Sequence, residues 1–291
     1  MKLLSFCFLS AAVLLLQLFP ARAAFGIDFI VPASVSQMQC LLNNGMFYST
    51  RVYHDGEGGG CDGIGGQNIE AGYAAGYNAG GGVLPYIFPN APTMVSGANT
   101  PEGEVQAALW CTTAAGFPHG GIYWLDIEQD PYNPWPDCAT SSSYILRMIA
   151  ELYNYGPIVG IYTSAYEWQQ VTCQTEDTAL GRSHIANFTS RLYEIARETQ
   201  PAREANMKKH GPAQDVISMR IATNETFRSL HATPVGDSNL TVLLWYPHYD
   251  NNPSFSDFTP FGPFKSAFAK QYSDKCNTCG LSSDCDWSPI S

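Results

Sequence analysis

The sequence is poor in basic residues. Its 15 lysines and arginines stand against 26 aspartates and glutamates, for a formal charge of −11. Such a chain repels phosphate backbones and anionic lipid surfaces at neutral pH, so nucleic acid is excluded as its main partner. Histidine is scarce too, with six scattered residues. Cys276-Asn-Thr-Cys279 has the spacing of half a zinc site, but no second such pair and no paired histidines complete it. There is no P-loop. The Gly-rich stretch Asp55–Gly66 carries Asp55, Glu57 and Asp62, which would repel phosphate, and their spacing is not that of an EF-hand. It reads as a surface loop tethered through Cys61. Past residue 23 no apolar run is long enough to span a bilayer, and no internal repeat stands out.

What is present points to the secretory route. Lys2 precedes an apolar run from Leu3 to Phe19 broken only by Ser5, Ser10 and Gln17, and Ala21-Arg22-Ala23 offers small residues for cleavage. Residues 1–23 are therefore expected to be a signal peptide and 24–291 one domain of roughly 268 residues. Removing the signal leaves roughly 13 basic against 26 acidic side chains, a balance suited to an acidic compartment. Cys7 leaves with the signal. Cys40, Cys61, Cys111, Cys138, Cys173, Cys276, Cys279 and Cys285 remain, an even set expected to form structural disulfides whose pairing is open. Asn187, Asn224 and Asn239 head sequons and mark an exposed, glycosylated region. The expected product is a monomer free of the membrane, secreted or held in a lysosomal or phagosomal lumen.

Along the chain, short apolar runs alternate with helix-like stretches, the pattern of repeated βα units and an α/β fold. Strands are expected at 26–30, 48–53, 83–88, 121–127, 158–162, 242–246 and 268–272. Helices are expected at 36–44, 68–78, 101–115, 141–155, 165–171 and 185–198. Residues 181–239 break the rhythm and read as an inserted helical region. A length near the ~250 residues of an α/β barrel supports that architecture.

The chemistry concentrates in Tyr123-Trp-Leu-Asp-Ile-Glu128. Asp126 and Glu128 are two apart on a strand and share one face. In an α/β barrel, the carboxyl ends of the strands are where reactive groups gather. A double charge ending an apolar strand is costly unless it is used. Two carboxyls in unequal environments supply a proton donor and a charge for a cationic sugar ring, the requirements of glycoside cleavage. Asp28 ends the first strand, and Asp286, in Asp284-Cys-Asp286-Trp287, follows the last one. Tyr86, Tyr162 and Tyr246 are expected to line a glycan cleft, with Trp124 and Trp245 in the core.

Several motifs in order resemble the glycoside hydrolase family 25 lysozymes, most closely their invertebrate and protist branch. They are Gly26-Ile-Asp28, Arg51-Val-Tyr53, Asn68-Ile-Glu-Ala-Gly-Tyr-Ala-Ala-Gly76, Tyr86-Ile-Phe-Pro89, Trp124-Leu-Asp-Ile-Glu128, Gly160-Ile-Tyr-Thr-Ser164, Leu244-Trp245 and Gln271-Tyr272. The resemblance implies a flattened TIM-like barrel with about five βα units and closing strands. It implies a muramidase cutting the β-1,4 bond between N-acetylmuramic acid and N-acetylglucosamine in bacterial cell-wall glycan, without metal or organic cofactor. By position, Glu128 would be the general acid and Asp126 would assist the substrate's 2-acetamido group, while Asp28 and Asp286 shape the site. The family's C-terminal Asp is usually followed two residues on by Asn. Here Asp286 is followed by Trp287 and Ser288, so Asp284 competes for that place, and Ile87 stands where many bacterial members have His. Two other readings fit the same acids: a chitin-type hydrolase, and a glycan-binding protein without turnover.

Overall fold

The computed structural model describes residues 24–289 except 55–58, 79–81, 91–99, 119–120, 133, 157 and most of 176–240. The strands are β1 (Ala24–Asp28), β2 (Phe47–His54), β3 (Gly60–Cys61), β4 (Val83–Ile87), β5 (Ile122–Asp126), β6 (Ile158–Tyr162), β7 (Thr233–Pro234), β8 (Thr241–Pro247), β9 (Ala269–Thr278) and β10 (Leu281–Ser288). The helices are α1 (Val35–Asn43), α2 (Gly63–Ala75), α3 (Pro101–Ala114), α4 (Cys138–Tyr155) and α5 (Ala165–Thr172). Parallel pairing runs β1–β2–β4–β5–β6–β8–β9, then antiparallel through β10 back to β1, closing eight strands into a barrel. The short β3 and β7 pair beside β2 and β8. The expected α/β barrel with five βα units and closing strands is the observed architecture.

Local chemistry sets the helix ends. Ser34 and Gln37 form a reciprocal capping box on α1, Thr100 caps α3 with Pro101 behind it, and Asp137 caps α4. Asp62 caps α2 and also pairs with Arg51 at 2.9 Å. The Gly-rich stretch is therefore not loop throughout: residues 63–66 form the first turn of α2, where a capping aspartate offsets the poor helix propensity of glycine.

Strand alternation splits the apolar side chains into two cores. A large one fills the shell between barrel and helices, and includes Ile27, Val52, Leu125, Ile161 and Tyr246. A smaller one fills the barrel itself, around Trp124, Trp245, Phe268 and Leu243. Gly160 faces Trp124 across β5–β6, and a methyl there would stand 2.2 Å from the indole. Glycine at that position is what admits the fully buried Trp124 into the barrel.

The cysteine-rich segment after Tyr272 departs from expectation. It does not lie past the last strand: β9 continues to Thr278, turns, and returns as β10, the strand that closes the barrel on β1. Cys279 and Gly280 both have positive φ, 56° and 76°, so a two-residue turn joins the strands with the twist they need. Polar Ser, Asp and Cys positions gave β10 no apolar run to announce it. All eight expected cysteines are paired, as Cys40–Cys279, Cys61–Cys111, Cys138–Cys173 and Cys276–Cys285. Cys276 and Cys279 thus go to different partners and make no redox pair.

No helix among the described residues is long and apolar enough to cross a membrane. Residues 1–23 and most of 181–239 lie outside the described residues, as do Asn224 and Asn239. Asn187 is exposed in a helical stretch, residues 186–191, within the expected helix 185–198.

Candidate active site

The carboxyl ends of the parallel strands bring a set of acids to one mouth of the barrel. Asp28 ends β1, Asp126 ends β5, and Glu128 lies two residues further along the same chain direction. Because β10 runs antiparallel, its N-terminal half reaches this end, where Asp284 pairs in register with Asp28. A cavity of about 180 Å3 opens here, lined by Asp28, Tyr86, Asp126, Glu128, Tyr162, Trp245, Tyr249, Gln271 and Asp284. Six of the eight candidate catalytic and binding residues meet in it.

Asp286 and Tyr246 do not. Asp286 pairs with Gly26, one layer below Asp284 and Asp28, and is fully buried beneath the cavity. Of the two competing acids, Asp284 is the one on the cavity wall. Tyr246 points out of the barrel, where its hydroxyl meets Asp257 at 3.1 Å and its ring packs near Phe258. The alternation of β8 is the reason: Leu243 and Trp245 face inward, so their neighbour faces the shell. Trp245 is in the core as expected and also forms part of the cavity lining. It lies 4.8 Å from the Tyr162 ring and 5.5 Å from Trp124, centroid to centroid. These rings make an apolar floor under the acids.

That floor sets the electrostatics. Asp126 is pushed well above the usual carboxylate range, first by burial and then by the charges of Glu128 and Asp28, against a smaller opposite pull from Arg51. Asp28 is raised in the same way, by burial, then Asp284 and Glu128. Burial raises Glu128 to about 7, helped by Glu167, Asp130 and Asp284. One oxygen each of Asp28 and Asp126 is buried with no hydrogen-bond partner among the described residues. Such atoms call for a proton or a ligand.

The backbone around Glu128 is held on both sides. Its carbonyl accepts the Trp135 indole N–H at 2.9 Å, and the next amide, of Gln129, donates to Glu167 at 2.7 Å. Asp130 accepts the Tyr132 N–H at 2.8 Å, the turn its place beside Pro131 suggests. Sequence reasoning missed Glu167, Tyr249 and Gln271 as parts of the site. Gln271-Tyr272 was visible only as a motif, and Tyr249 lies past a strand end where no periodicity applies.

Both oxygens of Asp286 are buried without a well-formed hydrogen bond among the described residues, with the Trp245 side chain as a neighbouring donor. Burial, then Asp28 and Asp284, raise its pKa well above the usual value, with the Trp245 side chain opposing. The folded state therefore keeps a proton that the unfolded chain loses near pH ~3.9. This contribution is fully present below that value and is lost as pH rises towards the folded pKa. Asp286→Asn removes the titration, so its melting temperature should exceed wild type at pH 8 and match it more closely at pH 4. An equal difference at both pH values would contradict a protonated Asp286.

Outside the cavity, His248, Asp250 and Asp257 form a donor set of the kind that holds a cation. The fully buried Lys270 fills that role, its ammonium 2.9 Å from each carboxylate. Burial works to raise Asp257, yet hydrogen bonds from Lys270 and His248 outweigh it and hold the group at about 2.

Known proteins are similar to this chain. The family model described as Lysozyme-like protein 1 matches residues 20–183, which include Asp28, Asp126 and Glu128. Lysozyme-like protein 5 of Caenorhabditis elegans is 29% identical over 273 residues, covering 92% of this chain and 93% of that protein. Probable GH family 25 lysozyme 2 of Dictyostelium discoideum is 27% identical over 205 residues, covering 70% of this chain and 64% of its own length. The crystal structure of the Clostridium perfringens spore cortex lytic enzyme SleM matches with a TM-score of 0.50 at 13% identity, covering 92% of this chain and 68% of that one. That last likeness is one of fold.

Proposed function

The chain belongs to the lysozyme-like family, the glycoside hydrolase family 25 lysozymes, and from that premise we propose that it is a muramidase. In this reading it hydrolyses the β-1,4 bond between N-acetylmuramic acid and N-acetylglucosamine in bacterial peptidoglycan. The observation that carries it is Glu128, raised by burial to about 7 in the same cavity as the buried Asp126. A carboxyl that keeps its proton near neutrality can deliver it to a leaving glycosidic oxygen.

The reaction follows from these two groups. Protonated Glu128 donates to the bridging oxygen as the C1–O bond breaks. The carbonyl oxygen of the substrate's 2-acetamido group forms a bond to C1 from the other face, giving a cyclic oxazolinium intermediate, the exception to the two-carboxylate scheme. Ionised Asp126 accepts the acetamido N–H and balances the positive charge. With Glu128 protonated, the largest charge opposing ionisation of Asp126 is absent. Glu128, now a carboxylate, takes a proton from water, whose oxygen opens the ring with net retention at C1. Tyr86, Tyr162, Asp28 and Asp284 shape the wall around the sugar.

The signal peptide 1–23, the single domain 24–291 with an insertion at 181–239, and glycosylation at Asn187, Asn224 and Asn239 belong to this reading. It describes a monomer exported, or delivered to a lysosomal or phagosomal lumen, to attack bacterial walls. Purified protein should release new reducing ends from peptidoglycan. Release from chitin oligomers and not from muropeptides would favour a chitin-type hydrolase, and binding without any release would favour a silent glycan-binding protein.

The pH profile supplies a sharper test. Glu128 must be protonated in the free enzyme, so kcat/KM should fall above about pH 7. Glu167 is the largest single charge holding that pKa up. Glu167→Gln keeps an acceptor for the Gln129 amide and removes the charge, so the alkaline limb should move to lower pH. A limb that stays in place would separate it from Glu128.

A further inference from the structure

Gln271 is almost wholly buried, at 1% exposure, and it is the hub of the cavity's hydrogen bonds. Its carbonyl oxygen accepts from the Tyr162 hydroxyl at 2.7 Å and the Tyr249 hydroxyl at 2.8 Å. Its amide nitrogen donates to Asp28 at 3.3 Å and to Asp284 at 3.2 Å. A primary amide has two N–H donors and two acceptor lone pairs, so every capacity of this group is in use. The opposite orientation would set its carbonyl against two carboxylates. These contacts tie together β1, β6, β9, β10 and the segment after β8. In the order of pairing round the barrel, β10 lies directly across from β5, which carries Asp126.

We infer that Gln271 is a positioning residue: its amide fixes Asp28 and Asp284 against each other and fixes the hydroxyls of Tyr162 and Tyr249, so that the wall facing Asp126 and Glu128 is set before substrate enters. The inference rests on the muramidase reading of the same cavity. Two acids in register on neighbouring strands repel when ionised, and a shared donor offsets that repulsion. A neutral donor does so without the positive charge of a lysine, which would stabilise every carboxylate in the cavity as an anion and take the proton from Glu128. The two tyrosine hydroxyls spend their protons on Gln271. Towards a ligand they therefore act as acceptors, which suits sugar hydroxyls and an acetamido N–H.

The test uses the full disulfide-bonded protein. Gln271→Met keeps length and removes all four hydrogen bonds, and Gln271→Glu adds a charge to the cavity. Methionine should lower kcat at least roughly tenfold with a smaller change in KM, because misplaced groups slow the reacting step. Glutamate should shift the alkaline limb of kcat/KM upward, since a further negative charge raises Glu128. Carboxyl-carbon NMR titration needs no turnover: in Gln271→Met, Asp28 and Asp284 should titrate at higher pH than in wild type. If Gln271→Met does not fold, Tyr249→Phe removes one anchor of the amide from a partly exposed residue, with the same changes expected at smaller size. A folded variant with kcat within about twofold of wild type, and with Asp28 and Asp284 titrating unchanged, overturns the inference. Wild-type protein that releases no reducing ends overturns the muramidase reading instead, and the titration still decides on Gln271.

Discussion

Glu128→Gln is expected to lower the rate of reducing-end release from peptidoglycan by about a thousandfold, the middle of the range for a lost general acid. The substitution preserves shape, and glutamine resembles the protonated carboxyl that burial favours at this position. Stability at pH 5 should therefore change little, and the loss should fall on kcat. An aryl glycoside, whose leaving group needs no proton, should suffer less in the bond-breaking step. A variant that keeps more than about a tenth of wild-type activity is incompatible with Glu128 as the donor.

Asp126→Asn is expected to cost about a hundredfold in kcat, the loss of one charge that acts on a developing cation. Asp126 is only 8% exposed, and one of its oxygens lacks a hydrogen-bond partner among the described residues, so it is available to a substrate N–H. The chemical test is stricter than the rate. If Asp126 assists the acetamido group, substrates that lack this group should be inert to wild type and variant alike. A thiazoline mimic of the cyclic intermediate should bind wild type more tightly than Asp126→Asn. A covalent sugar on Asp126, seen by mass spectrometry, would make it the nucleophile and end this account.

Much of the fold was legible because it is built from local signals. The helix opening at Pro101 and the apolar runs 122–125 and 158–162 are signals of this kind, and the runs form buried parallel strands. By contrast, α4 starts at Cys138 behind its cap Asp137, ahead of the expected 141. The candidate pair was legible because the two acids lie two apart where a strand is expected, although β5 ends at Asp126 and Glu128 stands just past it. The closing strand was not. Its polar alternation matches no apolar template, and it exists because its backbone pairs with β1 on one side and β9 on the other. Gln271 and Tyr249 were out of reach because a polar residue's partners lie far along the chain: Gln271 meets Tyr162 across 109 positions and Asp28 across 243.

The sequence by itself determined the α/β barrel class, the even set of cysteines and the acids Asp126 and Glu128 at and just past the end of β5, because each depends on neighbours within a few residues. Tertiary structure alone decided which cysteines pair, and which way β8 faces, which put Trp245 in the cavity and Tyr246 outside it. It also decided that Asp284 lines the cavity while Asp286 lies below. The physical reason is closure. Only when β10 joins β1 are register and depth set, and only then do burial and the gathered charges raise Glu128 to about 7.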